Sequence, residues 1–73
     1  MEPVVAVFKT DVSLQADASI VVKNLLELIP HSRINFDLAD CDNILRIETQ
    51  EEVDPSFIQR YVSELGYVAE LLD

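Results

Sequence analysis

The chain contains a single cysteine, Cys41, and therefore cannot form an internal disulfide bond. This suits a reducing compartment, and we expect a cytoplasmic protein. No stretch approaches the roughly 18 apolar residues that a membrane-spanning helix requires. The start, MEPVVAVFKTD, has neither the basic region nor the apolar run of a signal peptide. The sequence therefore predicts a protein without membrane insertion.

Positive charge is also scarce, with 5 Lys and Arg against 14 Asp and Glu, for a net charge of −9. Such a surface repels phosphate backbones and anionic lipids, which disfavours nucleic-acid and membrane binding. A basic protein partner would suit this charge. Plain solubility of a small acidic domain explains it equally well and is the simpler interpretation.

Groups that support catalysis are few, because the chain has one Gly and one His. There is no glycine loop that could cradle a phosphate, no Ser-His-Asp grouping and no Cys-His pair. Catalysis would rest on carboxylates alone, and nothing distinguishes two of them from the acidic surface. We therefore expect a protein that is not an enzyme and carries no cofactor.

Apolar residues make up 49% of the 73 residues, enough for one core in a single domain spanning residues 1–73. Residues 4–12 alternate in the manner of a strand. From Asp17, Val21, Leu25 and Leu28 recur at helical spacing. This pattern predicts a helix that ends before Pro30, with Ser13 or Asp17 as its N-cap.

The second half predicts a hairpin, a helix and a short strand. Residues 32–38 and the segment ILRIE both alternate, and the turn-forming segment ADCDN separates them. Asp54 and Pro55 then suit the cap and first position of a helix, and Gly66 suits its left-handed end. The segment YVAELLD reads as a final strand. The expected apolar face of this helix is Phe57, Ile58, Tyr61, Val62 and Leu65.

The order β-α-β-β-α-β predicts an α+β fold of the ferredoxin-like (βαββαβ) type. This fold has a four-stranded antiparallel sheet with both helices on one face. The first and third strands should be central neighbours. The other face of the sheet is then open to water or to a partner.

Apolar residues recur four, eight and eleven positions after Asp17, and the two hairpin strands and the Gly-Tyr before the last strand continue this pattern. The matching residues are Val21, Leu25, Leu28, Ile34, Phe36, Leu38, Leu45, Ile47, Gly66 and Tyr67. In this register the chain resembles the heavy-metal-associated (HMA) domain of small copper chaperones and copper-transporting ATPases. The resemblance implies a ferredoxin-like fold.

That family carries Met-x-Cys-x-x-Cys between its first strand and first helix. The same register places the Met on Val12 and the two Cys on Leu14 and Asp17. Leucine cannot ligate a metal, and one carboxylate binds Cu(I) poorly. The resemblance therefore implies a degenerate member, with no metal at the vestigial positions Leu14 and Asp17.

Two non-standard metal sites remain as alternatives. Asp11 with Asp17 resembles a weak Mg²⁺ or Ca²⁺ site, but more oxygens are needed, and acids are favourable at a helix N-terminus in any case. Cys41 lies between two aspartates, with His31 elsewhere, a combination that suits Zn²⁺. Adjacent residues of a tight turn cannot all face one ion, so an exposed turn thiol is the simpler interpretation.

Tyr67 either shields a site or closes the core near Val12 and Leu14.

The leading hypothesis is that the chain is a protein-interaction or assembly module. The alternative is a metal-handling protein that uses Cys41, Asp17 or the acidic loops. A third hypothesis is a purely structural protein. Strand alternation turns one set of apolar residues to the open sheet face, where polar residues should frame them. The predicted interaction surface is Val5, Val7, Ile44, Val68 and Leu72, with Lys9, Arg46, Glu48 and Glu70 as its rim. A homodimer or another protein would bind this face, or alternatively the edge strand at residues 32–38.

Overall fold

The computed structural model describes residues 3–39 and 41–72. The elements follow the predicted order. They are β1 (Val4–Thr10), α1 (Gln15–Leu28), β2 (Arg33–Asp37), β3 (Ile44–Thr49), α2 (Pro55–Glu64) and β4 (Ala69–Leu71). The strands form one antiparallel sheet in the order β2-β3-β1-β4. The α+β, ferredoxin-like prediction is confirmed, and β1 and β3 are the central strands.

One core lies between the sheet and the two helices. Phe8 and Leu45 from the central strands, Val21 and Leu25 from α1 and Val62 from α2 are all completely buried. They belong to a single cluster, so both helices cover the same face of the sheet. The opposite face is the open one. The alternation read from the sequence therefore assigned the strand faces correctly.

The first strand ends at Thr10, two residues earlier than predicted, because the Thr10 side chain redirects the backbone. Its hydroxyl donates to the Asn43 carbonyl at 2.6 Å and accepts from the Val12 amide at 3.1 Å. The Val12 amide is thus satisfied by a side chain instead of a strand. This local bond starts the turn that leads into α1.

The predicted N-cap of α1 is wrong. Neither Ser13 nor Asp17 caps the helix, because it begins at Gln15 with Leu14 in the N-cap position. The Ala18 amide donates to the Leu14 carbonyl at 3.0 Å, so the first helical turn begins ahead of Asp17 and includes it. Asp17 instead lies in that turn, where a negative charge is favourable. The predicted end before Pro30 is confirmed.

The prediction for α2 is confirmed at both ends. Asp54 Oδ1 accepts from the Ser56 amide at 2.9 Å, and Pro55 is the first helical residue. Gly66 ends the helix with φ at 99°, a conformation that glycine adopts without strain. Phe57 was wrongly assigned to the buried face: it is 46% exposed and its ring contacts Tyr61, with centroids 6.5 Å apart.

The first hairpin strand and the last strand are shorter than predicted, whereas β3 runs one residue beyond the predicted ILRIE, to Thr49. Strand β2 pairs with β3 from Arg33 to Asp37, and Leu38 lies beyond it, packed against the core. The final strand covers only Ala69–Leu71 of the predicted residues 67–73. Asp40 of the hairpin turn and Asp73 lie outside the described residues.

Candidate functional surfaces

The turn between β1 and α1 holds the two positions where the resemblance expects metal ligands. Leu14 is the N-cap residue of α1 and Asp17 is the third residue of the helix. Leu14 is 63% exposed. The side chains present at these two positions are a hydrocarbon and one carboxylate.

The Asp17 carboxylate already has a partner, which the sequence analysis missed. The Tyr67 hydroxyl donates to Asp17 Oδ1 at 2.8 Å across 50 positions of sequence. This bond raises the pKa of Tyr67 above its usual value, with further contributions from lost hydration and from the negative charges of Asp17 and Asp11. The Tyr67 ring packs against the core, as one of its two predicted roles requires. The residue thus joins the first turn of α1 to the segment before β4.

Asp11 has a different partner. Its Oδ1 accepts from the Val68 amide at 2.8 Å, and its own amide donates to the Val68 carbonyl at 3.2 Å. Asp11 therefore continues the β1–β4 pairing beyond the strands. Asp11 and Asp17 thus hold two adjacent residues of the last segment, Val68 and Tyr67, a structural role for both acids.

The proposed zinc ligands are distributed over both ends of the hairpin. His31 precedes β2 and lies near Glu48, whereas the exposed Cys41 follows β2 in the turn. A five-residue strand separates them, which is about 17 Å. Within residues 3–39 and 41–72, no three His, Cys, Asp or Glu side chains come together as a metal would require. His31 and Cys41 cannot share an ion in this arrangement.

The open sheet face is a mixture of apolar and charged residues. Val5, Val7 and Ile44 point to this face, with Val5 45% exposed and the other two half-buried. The strand register places Arg46 directly beside Val7, and Lys9 directly beside Ile44. Arg46 and Lys9 therefore lie within the face, and their predicted position at its rim is wrong.

The two ends of the last strand add apolar residues to this face, but a charged residue at the centre of the strand separates them. The Leu72 amide donates to the Val7 carbonyl at 2.8 Å, so Leu72 lies next to Val7. Val68 lies next to Asp11 at the other end of the strand. Glu70, between these two, is paired with Lys9 in the register. The predicted apolar surface is thus divided by charged side chains.

A groove between α1 and the edge strand β2 offers a more continuous apolar surface than the open sheet face does. Its volume is about 660 Å³. Its apolar lining comes from both elements and consists of Ala18, Val22, Leu26, Ile34 and Phe36, and the polar Gln15, Ser19 and Asn35 also line it. Lys23 and Glu27 lie on its helical lip. The strand pattern predicted the edge strand as a competing route, but the groove beside it could not be predicted, because it depends on how far α1 lies from β2.

No family model, curated protein or solved structure matches the chain. None of the helices in the described part of the chain is long and apolar enough to cross a membrane.

Proposed function

We propose that the chain is a degenerate HMA-type domain that has kept the ferredoxin-like fold and lost metal transfer. Its role is then that of a small cytoplasmic protein-interaction or assembly module without enzymatic activity. The fold, the position of Leu14 and Asp17 at the N-terminus of α1, and the groove beside β2 support this proposal.

The observation that carries the proposal is the state of the β1–α1 turn. A Cu(I) carrier needs two soft, accessible thiolates that exchange with those of a partner. Here the first position is a largely exposed leucine, and the carboxylate at the second accepts a hydrogen bond from Tyr67. A largely exposed hydrocarbon and a carboxylate that already accepts a hydrogen bond are poorly suited to exchanging a Cu(I) ion, which favours an interaction role over metal transfer.

A competition titration of the reduced protein against a Cu(I) chelator tests the loss of metal transfer. We expect binding no tighter than that of a lone surface thiol, and we expect Cys41→Ser to abolish it, because Cys41 is the only sulfur ligand that the chain offers besides Met1. Ser63→Cys in the Cys41→Ser background supplies one exposed thiol elsewhere and serves as the matched control. A stoichiometric site that survives Cys41→Ser would contradict the proposal and favour a non-standard metal site.

Two surfaces compete as the site of association. The open face offers Val5, Val7 and Leu72 close together, but Arg46 and Lys9 lie among its apolar residues. An apolar partner would have to desolvate those charges or pair with them, which is costly. On the groove side, β2 itself contributes only the apolar Ile34 and Phe36, and the charged Lys23 and Glu27 lie on the opposite, helical lip. We therefore place the interaction at the edge of the sheet.

A further inference from the structure

Strand β2 is the outermost strand on one side of the sheet. Exposed edge strands are usually protected by proline, by charged side chains (lysine above all), by a bulge or by being very short. The five residues of β2, RINFD, contain no proline and no lysine and pair with β3 without interruption, and the two charges that they carry, Arg33 and Asp37, are opposite in sign and lie one at each end. Within the described residues no other strand covers the outer side of β2. The edge is thus open to a further strand.

The hydrogen-bonding pattern shows which backbone groups face outward. The Leu72 amide donates to the Val7 carbonyl, so the backbone N–H and C=O groups of Val7 face β4. Those of its neighbour Phe8 face the opposite way, toward β3. The register then makes Arg46 and Asn35 a hydrogen-bonded pair between β3 and β2. Ile34 and Phe36, on either side of Asn35, therefore turn their N–H and C=O groups to the free edge. Their side chains line the groove.

We propose that β2 pairs antiparallel with β2 of a second copy of the chain, which joins the two sheets into one of eight strands. The two-fold axis passes between the Asn35 residues of the two copies, so that Ile34 of each copy lies opposite Phe36 of the other. Arg33 of each copy then lies opposite Asp37 of the other. This inference rests on the proposed assembly role and names the partner.

Charge and side-chain complementarity within the strand carry the proposal. The five-residue segment has opposite charges at its two ends, so pairing centred on Asn35 creates two Arg33–Asp37 pairs. It also creates two pairs of an aromatic with a β-branched residue, which stabilise neighbouring strands. A shift of the centre to Ile34 or Phe36 leaves one charge opposite Asn35. One register therefore satisfies all five positions.

The other edge of the sheet shows the contrast. Strand β4 has only three residues, and Glu70 is at its centre. Antiparallel pairing of β4 with itself would place Glu70 opposite Glu70 of the second copy, which is unfavourable. Since each copy carries a net charge of −9, association needs a surface with local complementarity. Of the two edges, β2 offers it.

The groove gives the second copy a place to bury apolar surface. A two-fold axis perpendicular to the sheet keeps both α1 helices on the same side, on either side of the axis. Val22, Leu26 and Phe36 of each copy then face the corresponding groove of the other. Lys23 and Glu27, on the helical lip, have opposite charges and add no net repulsion.

Sedimentation equilibrium with charge-reversal variants tests the pairing. We expect the wild type to form dimers as concentration rises. Arg33→Glu or Asp37→Arg alone should raise the dissociation constant by about tenfold or more, because both symmetric pairs change from attraction to repulsion. An equimolar mixture of the two variants should dimerise again, since opposite charges then meet in both pairs. Recovery on mixing also shows that each variant is folded.

The controls exclude a general charge effect and the open face. Arg60→Glu, on the exposed side of α2, changes the net charge as Arg33→Glu does and should leave the dimer intact. Val7→Lys with Ile44→Glu, on the open face, should also leave it intact. If this face variant becomes monomeric while the edge variants still dimerise, or if the mixture fails to recover, the proposed pairing is wrong.

Cross-linking tests the register. In a Cys41→Ser background, Asn35→Cys should oxidise to a disulfide-linked dimer, because residues across a non-hydrogen-bonded antiparallel pair have Cα atoms about 4.5 Å apart. Ser63→Cys in the same background should cross-link far more slowly. Equal rates would overturn the register. A wild type that stays monomeric at every concentration would overturn the dimer, whereas Cu(I) titration would still decide the loss of metal transfer separately.

Discussion

Restoring the two thiols is the sharpest test of the relation between this chain and metal-binding domains of the same fold. The variant is Leu14→Cys with Asp17→Cys, made in the Cys41→Ser background so that no other thiol competes. Within a helix, residues three positions apart have Cβ atoms about 5–6 Å apart, and Leu14 is the N-cap that directly precedes the helix holding Asp17. Metal–sulfur bonds are about 2.3 Å long, so two thiolates at these positions can reach one ion. The helix N-terminus also favours the thiolate form.

The expected gain follows from chelation. Once one thiolate binds Cu(I), the second is held close by the same helical turn, and binding becomes intramolecular. Linked ligands of this kind commonly gain about 10²–10⁴-fold over either one alone. The double variant should therefore exceed Leu14→Cys and Asp17→Cys, each in the Cys41→Ser background, by a factor in this range. Substituting Asp17 removes the acceptor of the Tyr67 hydroxyl, so Leu14→Ser with Asp17→Ser controls for that loss.

The assay is competition against a Cu(I) chelator under reducing conditions, with circular dichroism to confirm that each variant is folded. A folded double variant that binds Cu(I) no better than the single variants would refute the reasoning. The turn would then have a shape that does not bring two ligands to one metal ion, and the resemblance would be limited to the ferredoxin-like fold.

Two further predictions concern the same turn. Leu14→Ser should stabilise the protein by about 1 kcal/mol, because serine can accept the amide hydrogen bonds that a leucine N-cap leaves to water. Thermal denaturation should show the melting temperature raised by about 4–8 °C, and an unchanged or lower value would contradict the assigned helix start. The pKa of Tyr67 in the folded protein is raised above its unfolded value. The contribution of the Tyr67 hydroxyl to stability is therefore complete below a pH of about 10, and it is lost as pH rises through the folded pKa. Melting temperatures followed across alkaline pH should fall less steeply in Tyr67→Phe than in the wild type, with Tyr61→Phe as control, and parallel curves would count against the Asp17 bond.

Local signals in the sequence predicted the parts of the fold that depend on neighbouring residues. Asp54, Pro55 and Gly66 are specific for helix ends, and the structure uses all three as expected. The start of α1 could not be predicted in this way, because a preference for polar caps points to Ser13. The Thr10 hydroxyl instead binds the Val12 amide and sets the turn, a choice that depends on the distant Asn43 carbonyl.

The candidate surfaces were less predictable because they depend on pairing across strands. Alternation correctly assigned Val7 and Ile44 to the open face. It could not show that Arg46 lies beside Val7, since this neighbour is determined by the β1–β3 register. The bond between Tyr67 and Asp17 and the groove beside β2 likewise join segments that no local pattern relates.

The difference between the two sheet edges also limits the size of the proposed assembly. Pairing through β2 uses the same strand in both copies, so the interface is isologous and closes at two chains. Growth beyond a dimer would need β4, whose three residues place Glu70 against itself. The overall charge opposes any association that lacks local complementarity. An acidic domain with one self-complementary edge is therefore suited to forming a defined dimer that stops at two chains. A neutral chain with unprotected edges could instead extend into a fibre.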